Sequence, residues 1–322
     1  MEYRYQNSHM KYKHLFIFCL LGIIMSCANG QDSLHDDANA ATDTVIDRGN
    51  RVPVRFYSSN VSIASSRAIG EAFETGDAIG ISVVNKGETL TDTLKDSGNY
   101  ADNLEYRLQG TDGFEPMTTP IWQYDKMKLD LVYYAVYPYM ENMTPRFTFS
   151  ARADQSSHTD YTLSDLSCQK KESKQLNVSL ELKHMMSKIV VRLHGSDLDQ
   201  NQLSVSLTNM MLNANVNLNA MEVTATGDAT PLIKCEENTT LATSAERVFH
   251  AIIAPQQLTT ASAMVITNGS NTQALPLPRA CRITSGKQWT LNYDIDITAD
   301  GYIYISFGGD EEGGQHVDSR RD

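Results

Sequence analysis

One short stretch of this sequence combines residue types that could carry out covalent chemistry. Ser167 and Lys170 stand three residues apart, which is the S-x-x-K spacing of serine acyl-transferases. The companion motifs S-D-N and K-T-G are missing, and the chain contains neither the G-x-S-x-G nor the H-E-x-x-H pattern. Because a pattern of only two defined residues arises often by chance, we interpret Ser167 and Lys170 as structural. The sequence predicts no catalytic residue and a protein that is not an enzyme.

Metal binding is the second chemistry that the residue types allow. Asp294, Asp296 and Asp300 resemble the start of a calcium loop, but the twelfth position of that loop is Ile305 instead of glutamate. The first two aspartates also alternate with isoleucines, a pattern typical of the solvated face of a strand. No C-x-x-C motif is present. The sequence therefore predicts no metal site and no cofactor.

Cys27 is a candidate for covalent lipid attachment. It follows the apolar run Leu15–Met25, which is shorter than the roughly 20 residues that span a bilayer and is preceded by two lysines. A basic flank before a short apolar run is typical of a signal peptide. Ile24-Met25-Ser26-Cys27 then resembles a bacterial lipobox, in which the cysteine is acylated and becomes the first mature residue. The sequence predicts a signal peptide over residues 1–26 and lipidation of Cys27; the alternative is a secretory peptide with an incidental cysteine.

Residues 27–49 are mostly small, polar and acidic, without apolar periodicity. Such a segment buries too little apolar surface to offset its chain entropy, so we predict a flexible acidic tether or propeptide. Acidic residues close behind Cys27 resemble the surface-export signal of Bacteroidetes lipoproteins. This resemblance implies a surface-exposed lipoprotein of the outer membrane.

The charge of the chain limits its partners. The 322 residues include 27 Lys and Arg against 39 Asp and Glu, which gives a formal net charge of −12. An acidic surface without a basic cluster argues against nucleic acid as a partner. Apart from Cys19 in the predicted leader and the lipidation candidate Cys27, the cysteines Cys168, Cys235 and Cys281 are odd in number and widely spaced, so no disulfide framework is predicted.

Apolar periodicity indicates the elements that position these residues. From Trp289 to Ile297 apolar and polar residues alternate, which is typical of a strand with one buried and one wet face. Denser runs of aromatic and β-branched residues occur at Leu131–Tyr137 and Tyr302–Phe307, and no helical stripe exceeds two turns. Many short strands separated by turn residues predict an all-β protein built from β-sandwiches.

The charged, apolar-free stretch Gln169–Gln175 is the predicted domain boundary. It divides the chain into an N-terminal β-sandwich over residues 50–175 and a C-terminal β-sandwich over residues 176–310. Residues 311–322 are rich in glycine and charged residues, and we predict that they form a frayed tail.

A series of short motifs runs in a defined order through the chain. The motifs are Arg67-Ala68, Phe73, Gly76-Asp77-Ala78-Ile79-Gly80, Tyr100 with Asn103 and Tyr106, Tyr133–Tyr139, Asp154-Gln155-Ser156, and His184 with Ser187-Lys188. In this order they resemble the fimbrillin family, the type V pilins. The resemblance covers about residues 50–300 and implies two tandem transthyretin-like β-sandwich domains.

The resemblance also implies a route of maturation. Precursors in this family are lipoproteins that a trypsin-like surface protease cuts after an arginine. Loss of the N-terminal strand opens a groove, and the C-terminal strand of a neighbouring subunit fills it by β-strand addition. Arg48 and Arg51 lie between the tether and the first predicted strand, so they are the candidate cleavage sites.

Two functions remain open at this level. The first is an adhesive pilus subunit whose partners are other fimbrillin subunits. The residues from Gly308 onward would make a poor donor strand, which favours an anchor, tip or accessory subunit over a stalk subunit. The second is a non-polymerising surface lipoprotein that binds a glycan or another ligand on a host or bacterial surface.

Overall fold

Strands form nearly all of the regular structure. The computed structural model describes residues 47–58, 73–87, 92–110, 113–277, 281–306 and 315–319. Within these ranges the helices are α1 (His158–Thr162) and one 3-10 turn at Leu198–Gln200, and neither is long and apolar enough to cross a membrane. The prediction of an all-β fold is confirmed. The predicted signal peptide, Cys27 and the tether up to residue 46 lie outside the described residues.

The strands are short and follow one another closely along the chain. Those of the first half are β1 (Arg51–Pro53), β2 (Arg55–Ser58), β3 (Ala78–Asn85), β4 (Ala101–Leu108), β5 (Phe114–Pro116), β6 (Trp122–Tyr124), β7 (Leu131–Tyr137), β8 (Arg146–Ser150), β9 (Ser167–Ser173), β10 (Asn177–Leu180) and β11 (Lys183–His184). Those of the second half are β12 (Ser187–His194), β13 (Leu203–Thr208), β14 (Asn213–Asn217), β15 (Glu222–Thr226), β16 (Ile233–Lys234), β17 (Glu236–Glu237), β18 (Glu246–Ile253), β19 (Ala263–Asn268), β20 (Asn271–Pro276), β21 (Lys287–Ile297), β22 (Ile303–Ser306) and β23 (Gln315–Ser319).

These described strands assemble into five sheets. The largest has eight strands in the order β10-β2-β5-β4-β3-β7-β9-β11. A six-stranded sheet has the order β17-β18-β12-β21-β22, with β23 also paired to β21. A four-stranded sheet has the order β16-β13-β19-β20, a three-stranded sheet the order β15-β14-β8, and a two-stranded ribbon joins β1 to β6. The pairs β10 with β2 and β12 with β21 are parallel.

Strand β7 is the dense apolar run Leu131–Tyr137, in which apolar and polar residues do not alternate. All seven of its residues are buried. Its odd-numbered side chains pack into a smaller core formed by the first half of the chain. Its even-numbered side chains pack into a larger core, whose buried residues are spread along the sequence from Val84 to Ile303. The eight-stranded sheet is therefore buried on both faces at its centre, and a strand in that position needs apolar residues throughout.

Strand pairing crosses the predicted boundary between residues 175 and 176 in both directions. β10 and β11 lie beyond it but pair with β2 and β9 of the eight-stranded sheet. β8 lies before it but pairs with β14 of the three-stranded sheet. Most of the charged stretch belongs to β9, where polar side chains stand at exposed and half-buried positions. Chain contacts place residues 47–322 in one compact unit, and separate folding of the two predicted sandwiches stays a prediction.

Three buried glutamines and Asn219 each serve as a single-residue strand partner. In each case the side-chain oxygen accepts from the backbone N–H of one other residue, and the side-chain nitrogen donates to the carbonyl of the same residue. The pairs are Gln123 with Leu129, Gln155 with Ile252, Gln256 with Met211, and Asn219 with Leu94, at distances of 2.7–3.0 Å. The three glutamines are buried, and Gln155 satisfies backbone groups of Ile252 that are themselves buried.

Part of the predicted frayed tail forms a strand. β23 pairs antiparallel with Lys287–Leu291 of β21, beside the stretch of β21 that pairs with β22. Backbone pairing depends little on side-chain composition, so a polar segment adds to an available sheet edge. The alternation predicted for β21 itself is confirmed, because Ile295 is 2% exposed while Asp294 and Asp296 are exposed.

Candidate functional site

The two candidate cleavage arginines lie on or beside a small ribbon at the start of the described chain. β1 pairs antiparallel with β6, so that Arg51 lies opposite Tyr124. The Arg51 guanidinium stands 5.5 Å from the ring centroid of Trp122, and the Arg48 guanidinium stands 5.8 Å from that of Tyr124. Both distances are in the range of cation–π contacts, so the aromatic rings of β6 hold both arginine side chains.

A turn at Gly49 separates Arg48 from β1. Gly49 has φ +75°, and a Cβ atom there would lie 2.0 Å from Asp125 Oδ1. The backbone N–H of Asn50 donates to that same oxygen at 2.8 Å. Glycine fits this position because the turn requires a positive φ and the aspartate occupies the space of a side chain.

The segment before the turn is tied to the β6 side by exposed contacts. Lys126 Nζ donates to Asp47 Oδ2 at 2.6 Å, and this hydrogen bond holds the pKa of Asp47 below its usual value. The Met127 N–H donates to the Arg48 carbonyl at 3.2 Å. The peptide bond after Arg48 therefore lies in an exposed loop, whereas the bond after Arg51 lies inside a paired strand.

The ribbon leads directly into the first strand of the eight-stranded sheet. Val54, which is 2% exposed, separates β1 from β2, and its N–H donates to the Ile121 carbonyl at 2.8 Å. Arg55 belongs to β2, and its N–H donates to Leu176. Cleavage after Arg48 would thus leave β1, Val54 and β2 in place. Sequence patterns alone did not indicate that Trp122 and Tyr124 contact the arginines, because these contacts join residues about seventy positions apart.

One edge of β21 receives two short strands. β22 pairs with residues Asp294–Ile297, and β23 pairs with residues Lys287–Leu291. The opposite side of β21 pairs with β12 over seven residues. An edge covered by short separate segments is chemically suited to strand addition, because the backbone donors and acceptors of β21 accept any extended segment.

Three of the family-like motifs, which include Asp77 and Gly80, Asn103, and Tyr137, contact one another in the eight-stranded sheet. Asp77 accepts hydrogen bonds from the Glu74 N–H at 2.8 Å and from the Tyr137 hydroxyl at 3.3 Å; burial raises the pKa of Asp77. A Cβ atom on Gly80 would lie 2.2 Å from Asn103 Oδ1, so glycine lets the asparagine side chain cross the strand. These residues fix the fold locally. Arg67 and Ala68 of the same series lie outside the described residues.

Ser167 has neighbours that resemble a catalytic triad, but their geometry is wrong for one. Ser167 Oγ lies 3.3 Å from His184 Nδ1, and Asp165 Oδ2 lies 2.9 Å from the same nitrogen. A catalytic histidine contacts the nucleophile and the carboxylate through different ring nitrogens. Lys170, three residues along β9 and on the other face, places its Nζ over the Tyr134 ring at 5.4 Å. The arrangement supports a structural role for Ser167 and Lys170.

The three aspartates of the calcium-like spacing are spread along a strand and a turn. Asp294 and Asp296 are exposed residues of β21, and Asp300 lies in the turn before β22. In the described ranges, no three or more His, Cys, Asp or Glu side chains are grouped so as to hold a metal ion.

A partly buried ionisable cluster joins α1 to the six-stranded sheet. Glu236 accepts from His250 Nε2 at 2.7 Å and lies 3.0 Å from His158 Nδ1. His250 stacks on Tyr161 with 4.1 Å between ring centroids, and Lys188 lies over the same ring. Burial lowers the pKa of His250, and the nearby Lys188 and His158 add to this effect. Burial opposes ionisation of Glu236, but the hydrogen bonds from His250 and His158 hold its pKa below the usual value.

We expect this cluster to make stability depend on pH. With a folded pKa below 6.5, His250 takes up its proton more readily in the unfolded chain, so the free energy of unfolding falls as pH drops below about 6.5. The contribution of this one group cannot exceed about 1.4 kcal/mol per pH unit. Urea denaturation at several pH values between neutrality and pH 5.5 measures the slope, and the His250→Gln variant is expected to have a smaller one. A slope unchanged in that variant would assign the effect to other groups.

This chain is similar in sequence to one protein family and in structure to known proteins. A family model for fimbrillin-like proteins matches residues 66–303, which is more than half of the chain. A candidate cell adhesion protein from Bacteroides ovatus aligns with a TM-score of 0.62 and 16% identity, over 84% of this chain and 98% of that one. A second, from Bacteroides uniformis, aligns with a TM-score of 0.58 and 19% identity, over 84% and 97% of the two chains.

These two structural similarities support the fold observed here. A search of curated proteins found no significant match. The extent of the family match confirms the resemblance drawn from the ordered motifs. The chain belongs to the fimbrillin-like family.

Proposed function

We propose that this protein is an adhesive subunit of a cell-surface fimbrium, of the anchor, tip or accessory kind, and that it matures by cleavage after Arg48. Membership of the fimbrillin-like family supports a cell-surface, fimbrial-type role. The observation that carries the proposal is the β1–β6 ribbon, which presents an arginine in an exposed loop just before the first paired strand. Lipidation of Cys27 would hold the precursor at the outer membrane before the cut.

Arg48 suits a trypsin-like protease better than Arg51. A protease binds its substrate as an extended segment and needs the backbone on both sides of the scissile bond. Around Arg48, no strand pairing holds the loop as far as the structure describes it; its contacts are the backbone hydrogen bond from Met127, the contacts of Asn50 with Asp125, the ring of Tyr124 and the exposed Lys126–Asp47 pair. Exposed ion pairs contribute little, about 0–1 kcal/mol. Around Arg51, the pairing of β1 with β6 must open first. Arg48 is therefore the proposed site, and Arg51 is the alternative.

The proposed mode of assembly is strand addition in which this subunit accepts the strand. Residues 308–322 contain one aliphatic residue, Val317, so this segment offers few side chains for the pockets of a partner. An acceptor instead needs an edge, and the edge of β21 is covered only by the short strands β22 and β23 in the described ranges. The expected partner strand is an alternating apolar segment of another fimbrillin subunit.

Limited digestion of the folded protein with trypsin tests the proposal. We expect a stable product that begins at Gly49, with an unchanged far-UV circular dichroism spectrum. Arg48→Gln should abolish this product, and Arg51→Gln is the matched control that should still yield it. The cut protein should also bind a peptide copied from the C-terminal strand of a second fimbrillin.

Three outcomes would argue against this function. A first cut after Arg51 would move the site into the ribbon. Resistance of both bonds under native conditions would favour a non-polymerising surface lipoprotein. Long self-polymers after cleavage would assign a stalk role instead of an anchor, tip or accessory role.

A further inference from the structure

The outer face of the three-stranded sheet β15-β14-β8 is polar in every position. Alternate residues of these strands, such as Phe149 and Val216, point inward and pack on the larger core. The register places the remaining residues in three rows across the sheet. The rows are Arg146–Asn217–Glu222, Thr148–Asn215–Thr224 and Ser150–Asn213–Thr226.

A hollow of about 680 Å³ lies over the first two rows. Its polar lining consists of Arg146, Thr148, Asn215, Asn217, Glu222 and Thr224, and we call it the polar hollow. Pockets that hold small organic ligands measure roughly 300–1,000 Å³, so the volume suits a ligand of a few rings.

The two charges of the polar hollow stand apart from each other and from other charges. Arg146 and Glu222 occupy the two outer strands of one row, with Asn217 between them. Strands two places apart are separated by about 10 Å, which leaves room for one ring between the charged groups. In the part of the chain that the structure describes, neither side chain forms an ion pair or a hydrogen bond. Both groups are therefore available to a ligand.

The second row adds neutral hydrogen-bonding groups. Thr148 donates its hydroxyl hydrogen to Asn215 Oδ1 at 3.0 Å, which fixes the amide and leaves the Nδ2 hydrogens directed elsewhere. Thr224, on the other side of Asn215, is exposed. A hydroxyl both donates and accepts, and an amide does the same through two atoms. The row thus offers donors and acceptors at the spacing of neighbouring strands.

These features select the class of ligand. The six polar side chains carry one positive and one negative charge, so the polar hollow has no net attraction for a polyanion such as nucleic acid or a sulfated glycan. Only two of its eight lining residues, Phe147 and Val216, are apolar, so it offers few contacts of the kind that anchor the alternate side chains of a peptide strand. A ligand with adjacent hydroxyl groups fits the polar hollow. The Glu222 carboxylate can accept hydrogen bonds from two neighbouring hydroxyls, and the Arg146 guanidinium can donate to two.

We infer that the polar hollow binds a neutral oligosaccharide. Glu222 accepts from adjacent hydroxyls of one sugar ring, Arg146 donates to hydroxyl oxygens at the other side, and Asn215 and Asn217 contact the ring between them. This inference deepens the adhesive part of the proposed function and does not depend on cleavage or strand addition. Its test uses the uncut protein, so its failure is distinguishable from a failure of assembly.

Calorimetric titration of the uncut protein with cellotetraose, mannotetraose and lacto-N-tetraose tests the inference. We expect at least one of these neutral probes to bind, and a heparin tetrasaccharide not to bind. Asn215→Leu and Glu222→Gln should each weaken binding by about tenfold or more, as expected for loss of one or two hydrogen bonds.

Matched substitutions at exposed strand positions elsewhere are the controls. Asn177→Leu on β10 and Thr272→Val on β20 should leave binding unchanged, and thermal unfolding should show that all variants are folded. Absence of binding by all three neutral probes at millimolar concentration would overturn the inference. So would equal binding by Asn215→Leu, Glu222→Gln and the parent protein, or preferential binding of the heparin probe.

Discussion

Replacing Gln155 with leucine is expected to destabilise the protein by about 2–6 kcal/mol, because two buried backbone groups of Ile252 lose their partners at about 1–3 kcal/mol each. Gln155 is fully buried, and both of its hydrogen bonds to Ile252 measure 2.7 Å. The neighbouring edge strand β17 is only two residues long, and the glutamine side chain continues the pairing of β18 beyond the first residue of β17. Leucine fills a similar volume but offers no hydrogen bond.

Urea denaturation measures this effect, and the chain contains a matched control. Gln273→Leu makes the same change on the exposed edge strand β20. There the expected change is within about 0.5 kcal/mol. Equal destabilisation by the two substitutions would mean that loss of glutamine, and not the orphaned groups of Ile252, causes the effect.

The second large effect is expected at Cys27, outside the described residues. Cys27→Ala should remove the acyl chains and release the protein from the membrane fraction, because each buried methylene contributes about 0.8 kcal/mol to membrane binding. Incorporation of radiolabelled palmitate and cell fractionation measure the two parts of this prediction. Cys19→Ala, which changes a cysteine within the predicted signal peptide, should leave both unchanged. Palmitate incorporation that persists in the Cys27→Ala variant would contradict the lipoprotein hypothesis.

Strands could be predicted from the sequence where one face of the strand is buried and the other is exposed to solvent, because apolar and polar residues then alternate. The alternation from Trp289 to Ile297 predicted both the strand and which residues face solvent, and β21 has that register. β7 was predictable as a strand but not in its surroundings, because a run buried on both faces carries no periodicity. The domain boundary at residues 175 and 176 was predicted from a charged stretch. Most of that stretch is strand β9, where charged side chains stand at exposed and half-buried positions, so charge alone does not distinguish a linker from a strand.

The candidate site was only partly accessible to sequence reasoning. Arg48 and Arg51 were found through the family resemblance, which does not distinguish between them. Their difference in pairing depends on β6, and such long-range pairs leave no local signal. The polar hollow was also hidden, because it requires the register of three strands, one of which lies far from the other two in sequence. Gln155 belonged to a recognised motif, but its partner Ile252 could not be read from the sequence.

The position of β7 between two cores has a consequence for how the protein loses its structure. If the smaller core melted, β7 would leave with it and strip the larger core of Val132, Tyr134 and Val136. If the larger core melted, β7 would expose that face to water. We therefore expect that neither core opens alone at low free energy and that the protein unfolds as one cooperative unit. Calorimetry should then show a single heat-absorption peak, and amide hydrogens in both cores should exchange through the same global opening.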